Sequence, residues 1–190
     1  MKQLPNILSL LRIVISPIFF LMLISENPTL ICLSLPLFII GAISDYLDGW
    51  FARRMKAISR FGKFFDPLAD KFLTGAAFLA FAVLSIVPLW MVLIIIFRDI
   101  LTTAMRFMPQ SGNQSITTSK PAKIKTFIQM IFIFVILLTI TFINCPMNGF
   151  NPENLVAFLY SDFVYYSMMV IVVLTLWTLI DYSKQNKRPF

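Results

Sequence analysis

Asp45-Tyr46-Leu47-Asp48-Gly49-Trp50-Phe51-Ala52-Arg53, then eight residues, then Gly62-Lys63-Phe64-Phe65-Asp66-Pro67-Leu68-Ala69-Asp70: this stretch sets four carboxylates within 26 positions of a chain otherwise built for lipid. On a helix, the i,i+3 spacing of Asp45/Asp48 and the i,i+4 spacing of Asp66/Asp70 put each pair on one face, about a turn apart. Carboxylates gathered in this way repel one another, and each costs about 2.5–3.5 kcal/mol at the centre of a membrane helix. Cations relieve both costs, so the stretch reads as a metal site. The chain contains no histidine, which removes the commonest zinc ligand and the usual general base. Oxygen donors alone favour Mg2+ or Mn2+.

Working outward, the chain is 58% hydrophobic and 13% charged over 190 residues, about half the charge of an ordinary soluble domain. Six apolar runs, near 7–25, 28–47, 64–86, 88–107, 122–144 and 156–181, have the length that crosses a bilayer. The fold expected is an all-α, polytopic membrane protein with six transmembrane helices, forming a single domain over 1–190. Asn6, Ser9 and Arg12 interrupt the start of the first run, and no convincing small-residue cleavage site follows it. A retained span, not a signal peptide, is therefore expected.

The 16 lysines and arginines lie at the N-terminal end, between spans two and three, around the junction of spans four and five, or at the C-terminus. By the positive-inside rule, both termini and both basic connections face the cytoplasm. This puts the aspartates at the cytoplasmic surface of the inner membrane, within reach of water-soluble substrates. The net charge of +7 suits anionic headgroups flanking the spans and gives no reason to invoke nucleic acid. Cys32 and Cys145 show no metal-ligand spacing. Both fall on the non-cytoplasmic half, where a bridge is possible, but unpaired membrane thiols are the expectation.

Clustered intramembrane carboxylates also serve ion- or proton-coupled transporters, which scatter them around a midplane cavity. Here they are gathered beside small residues and a basic flank. Gly49, Ala52 and Gly62 let a phosphate approach the backbone, while Arg53, Arg54, Lys56, Arg60 and Lys63 add positive charge. Two divalent ions with nearby cations are what phosphoryl transfer requires. Pro67 either starts a helix with Asp66 as its cap or lies within one.

The eight residues Asp45, Asp48, Gly49, Ala52, Arg53, Gly62, Asp66 and Asp70, at these spacings, resemble the complete motif of the CDP-alcohol phosphotransferase family. Pro5-Asn6 with Arg12 and the six spans extend the likeness. Within the family, Phe65 to Lys71, Arg98-Asp99 with Arg106, and Ala122 to Thr126 with Gln129 look most like the bacterial phosphatidylglycerophosphate synthases. Asp99 stands where many relatives carry Glu, and Ala122 where many carry Gly; Arg-Asp also occurs in related cardiolipin synthases. The resemblance implies that CDP-diacylglycerol binds at Asp48, Gly49, Ala52, Arg53 and Gly62. It further implies that Asp45, Asp48, Asp66 and Asp70 hold two ions, that Asp70 is also the base, and that the enzyme is a homodimer.

The acceptor is expected to be sn-glycerol 3-phosphate, with phosphatidylglycerol as the alternative. Its phosphate must be held away from the carboxylates, and Arg98, Arg106, Lys123 and Lys125 are the basic residues placed to do so. Lys123 and Lys125 are about 200° apart on a helix, so one faces inward; Lys123 is preferred. For Arg98 the competing reading is a structural ion pair. Lys71, Arg54, Lys56 and Arg60 are expected to be solvated or lipid-facing.

Overall fold

The structure, a computed structural model, describes residues 4–55, 60–107, 120–145 and 151–186, with side chains described over 10–44, 71–105, 124–145 and 151–180. Within these residues the chain is helical throughout: α1 (Leu4–Leu23), α2 (Pro28–Met55), α3 (Arg60–Val83), α4 (Leu89–Phe107), α5 (Lys120–Asn144), α6 (Pro152–Leu159) and α7 (Asp162–Asn186). The sequence signals that bound these helices are local. At the start of α2, the Asn27 side chain accepts from Thr29 N–H at 2.9 Å and Pro28 takes the first helical position, where its missing N–H costs nothing. Asn151 and Pro152 repeat the device at α6.

The α3–α4 turn is closed by a Schellman arrangement. Ile86 N–H donates to Phe81 C=O at 2.9 Å and Ser85 N–H to Ala82 C=O at 3.0 Å, around Ser85 in the left-handed region at φ 59°. Glycine normally fills that position.

The six long helices form a closed ring in the order α1, α3, α4, α7, α5, α2, and α3 also touches α2 and α5 across its interior. The core is made of aliphatic and phenylalanine side chains from all six: Phe19 and Leu23, Phe38, Phe78 and Phe81, Met91, Ile133 and Leu137, Met168 and Ile171. Phe78 stacks on Phe132 with centroids 6.2 Å apart, and Phe19 meets Phe38 at 5.4 Å. Gly41 lets α2 and α3 approach closely, since a Cβ there would lie 2.8 Å from a Leu73 methyl; small residues serve the same purpose at membrane helix contacts generally.

The outer surface is apolar as well: Phe97, Phe127, Phe163 and Trp177 are each about two-thirds exposed. Hydroxyls inside the bundle are satisfied within their own helices, as Ser16 donates to Arg12 C=O, Thr139 to Val135 C=O and Thr175 to Ile171 C=O. Helices with apolar surfaces and internally paired polar groups are built for a bilayer. Among the described residues, Ile124–Asn144 and Pro152–Ile180 are long and apolar enough to cross one, while Leu10–Leu23, Pro28–Ser44 and Lys71–Val83 are shorter apolar helices.

Several expectations need correction. The sixth run is not one helix: Tyr160–Ser161 breaks it into α6 and α7, and Tyr160 Oη donates to Leu84 C=O at 3.2 Å, pinning that break to the α3–α4 turn. Of the two readings open for Pro67, the one inside a helix is the observed one, since α3 begins at Arg60. Cys32 and Cys145 are joined in a disulfide, with Cα atoms 6.1 Å apart. Packing of α2 against α5 brings the early part of one beside the last residues of the other, a proximity that spacing along the chain does not reveal.

Candidate functional site

Asp45 and Asp48 lie on the last third of α2, and Asp66 and Asp70 on the first half of α3. Both stretches are helical, so the spacing argument applies: each pair shares one helix face. The side chains of all four lie outside the described residues, as do those of Gly49, Ala52, Arg53 and Gly62 in the motif and of Arg106 and Lys123 elsewhere. Among the described residues, no three acidic, cysteine or histidine side chains gather. The fit of a divalent ion therefore rests on donor chemistry. A chain without histidine offers a metal carboxylate oxygens in place of imidazole nitrogen, and Mg2+ and Mn2+ prefer oxygen donors.

One residue past Asp70 the described side chains resume, and they open on a charge network. Lys71 of α3 sets its ammonium 4.0 Å from Asp99 Oδ2 on α4. Lys125 of α5 donates to Asp99 Oδ1 at 2.7 Å, and Arg98 Nη1 donates to the same oxygen at 3.0 Å. Arg98 continues through Nη2 to Thr178 Oγ1 of α7 at 2.8 Å, while Thr102 lies 3.4 Å from Nη1. The carboxylate thus joins α3, α4 and α5, and Arg98 carries the network on to α7.

Three of its members are buried, Lys125 at 2% exposed and Arg98 and Asp99 at less than a tenth, while Lys71 is half-buried. Charges held as deep as Lys125, Arg98 and Asp99 are tolerated only when paired or hydrogen-bonded, and these three pair with one another. Two donors beside the network lack hydrogen-bond partners among the described residues: Arg98 Nε and Gln129 Nε2. Arg12 of α1 is buried too. Beside Lys71 and Asp99, an apolar cavity of about 560 Å3 opens between α1, α3 and α4.

Of the four basic residues expected to hold an acceptor phosphate, the described side chains include Arg98 and Lys125, and Asp99 brings both together. The preference for Lys123 as the inward lysine gives way to Lys125, whose helical phase aims it at α4. Lys71 is not simply solvated or lipid-facing; its stem folds back toward Asp99. The structural pairing considered for Arg98 is present, but its partner is the neighbouring Asp99. Thr178 is outside the expected site residues, and Gln129 enters the sequence reading only through the resemblance. A polar side chain in so apolar a helix is the one signal that Thr178 offers.

A family model described as CDP-alcohol phosphatidyltransferase matches residues 2–180. The CDP-diacylglycerol--glycerol-3-phosphate 3-phosphatidyltransferase of Bacillus subtilis is 31% identical, covering 98% of this chain and 96% of its own length. The protein of the same name from Rickettsia typhi is 34% identical over 73% of this chain and 78% of its own length. A probable phosphatidylglycerophosphate synthase of Mycobacterium tuberculosis is 31% identical over 98% of this chain and 82% of its own.

Proposed function

Because the chain belongs to the CDP-alcohol phosphatidyltransferase family, we propose that it transfers the phosphatidyl group of CDP-diacylglycerol to sn-glycerol 3-phosphate, giving phosphatidylglycerophosphate and CMP. The Bacillus subtilis relative bearing that activity in its name spans nearly the whole chain, which supports the reading over a transporter. The observation that carries the acceptor assignment is the Lys71–Asp99–Lys125 contact. It sets a buried cationic cluster directly beside the helix segment that bears Asp66 and Asp70, so a dianionic acceptor and the carboxylate motif meet at one place.

In this reading, Asp45, Asp48, Asp66 and Asp70 hold two divalent ions, Mg2+ or Mn2+. When bound, the ions neutralise the donor diphosphate and stabilise the departing CMP. Asp48, Gly49, Ala52, Arg53 and Gly62 receive the CDP group, the small residues admitting phosphate close to the backbone. Arg98, Arg106, Lys123 and Lys125 supply the cations for the acceptor phosphate, with Lys125 foremost. Asp70 accepts the proton of the acceptor hydroxyl. The hydroxyl oxygen then bonds to the phosphatidyl phosphorus as the bond to CMP breaks, and CMP leaves with the electron pair. No serine, cysteine or histidine stands in the motif to form a covalent intermediate, so displacement is direct.

The chain is further read as one domain in the inner membrane, crossing six times through α1 to α5 and α7, with both termini and the site on the cytoplasmic side. The Cys32–Cys145 bridge supports this orientation, because it ties the start of α2 to the end of α5, at the opposite end from the basic segments. Disulfides persist outside the reducing cytoplasm. A homodimer is the expectation that the resemblance carries.

The test is purified protein with labelled CDP-diacylglycerol, Mg2+ or Mn2+, and a panel of acceptors. Phosphatidylglycerophosphate should form with glycerol 3-phosphate. Cardiolipin formed from phosphatidylglycerol, with no product from glycerol 3-phosphate, would overturn the acceptor assignment.

A further inference from the structure

Asp99 has no part in the chemistry described above, yet three described cations, Lys71, Arg98 and Lys125, converge on it. Its Oδ1 receives both Lys125 and Arg98, at 2.7 and 3.0 Å, and its Oδ2 faces Lys71. A carboxylate in this position does not itself bind phosphate; it would repel one. It keeps two buried cations close together while leaving part of their donor capacity unused. Lys125 has two further N–H groups beyond the one given to Asp99. Arg98 Nε is buried and has no partner among the described residues.

A separate observation points to the same ligand. Gln129 lies one turn beyond Lys125 on α5, on the same helix face, is 4% exposed, and its Nε2 has no partner among the described residues. Leaving buried donors such as the Gln129 amide and Arg98 Nε unsatisfied is costly. An oxygen-rich anion would satisfy them.

We infer that Asp99 is a positioning residue that sets Lys125 and Arg98 as two prongs of a phosphate-binding pocket, and that the Gln129 amide supplies a third donor. The inference rests on the acceptor reading above, and it names what confers selectivity for a phosphorylated acceptor. Arg106 and Lys123 are not needed for it.

Two readouts on the full-length protein in detergent test the pocket. Without turnover, inorganic phosphate should raise the melting temperature of the wild type at millimolar concentration and do so far less in Gln129→Leu. In steady state, Gln129→Leu and Asp99→Asn should each raise the KM for glycerol 3-phosphate about tenfold or more, the effect of losing one charge-assisted or buried hydrogen bond. The KM for CDP-diacylglycerol should stay within about twofold, a margin far smaller than one such bond. Asp99→Glu should restore most of the loss, because a carboxylate one methylene longer still reaches both cations; a role in folding alone would move both KM values and kcat together.

Unchanged KM for glycerol 3-phosphate in Gln129→Leu and Asp99→Asn, with an active wild type, overturns the inference and leaves the acceptor reading intact. No use of glycerol 3-phosphate by the wild type overturns the acceptor reading. In that case the phosphate melting shift decides the pocket separately: a shift lost in Gln129→Leu upholds it, and no shift in the wild type refutes it.

Discussion

Replacing Lys125 by Met and Asp99 by Leu should destabilise the protein unequally, and the inequality follows from how the charges are shared. Lys125→Met keeps the stem of the side chain and deletes its charge. Asp99 then still has Arg98 at 3.0 Å and Lys71 at 4.0 Å. The loss is one charge-assisted hydrogen bond, about 1.5–3 kcal/mol. Asp99→Leu instead removes the carboxylate on which three cations converge, two of them buried. Stripping one partner from a buried ionic cluster costs about 3–5 kcal/mol, because the groups left behind are neither solvated nor paired.

At roughly 2–4 °C per kcal/mol for a chain of this size, Lys125→Met should lower the melting temperature by about 5 °C. By the same scaling, Asp99→Leu should lower it by about 10 °C or more. The double variant should cost less than the sum of the two, with a coupling of about 1–3 kcal/mol, since removing Asp99 takes away the contact that Lys125→Met would break. Thermal melts of the purified proteins in one mild detergent, followed by tryptophan fluorescence, measure all three. An Asp99→Leu variant no less stable than Lys125→Met, or strictly additive effects, would refute the account of Asp99 as the hub of this network.

Asp70→Asn should abolish turnover while leaving binding of CDP-diacylglycerol intact, because the amide keeps the size of the side chain but accepts no proton; raising Mn2+ should partly rescue Asp45→Asn and Asp66→Asn and fail to rescue Asp70→Asn. Arg106→Ala should raise the KM for glycerol 3-phosphate by about ten- to a hundredfold, the worth of a charge-assisted phosphate contact, without moving that for CDP-diacylglycerol. Ser85→Gly should stabilise the α3–α4 turn by about 1 kcal/mol, since Ser85 holds a left-handed conformation at φ 59° that glycine adopts without penalty; a thermal melt reads this directly. Gly41→Ala meets only the flexible end of Leu73 and should be tolerated, whereas Gly41→Leu should cost about 2 kcal/mol or more by overpacking the α2–α3 contact.

What the sequence made legible follows from how local each signal is. The helices carrying the motif were readable because the apolar runs and the basic connections are contiguous in the chain. The break at Tyr160–Ser161 was not, since neither residue is a strong helix breaker and the contact that fixes it, Tyr160 to Leu84, is distant in sequence. The same holds for Cys32 and Cys145, which are 113 residues apart.

Within the site, residue types were legible and pairings were not. Helical phase separates Lys123 from Lys125 but does not say which faces inward; that depends on where α4 presents Asp99. Lys71 looked like a flanking surface charge because its role comes from the reach of its side chain across to α4. Asp99 itself was noted only as a departure from glutamate, although its carboxylate joins α3, α4 and α5.

The central claim is that carboxylates on α2 and α3 and cations around Asp99 bring one lipid donor and one phosphorylated acceptor together. The most direct measurement follows CMP release and lipid product together, in a single turnover of the purified protein with CDP-diacylglycerol and labelled glycerol 3-phosphate. The account predicts one CMP for each labelled phosphatidylglycerophosphate, and none of either without a divalent ion or without the acceptor. CMP released in the absence of acceptor, or no label entering lipid when CMP appears, would contradict it.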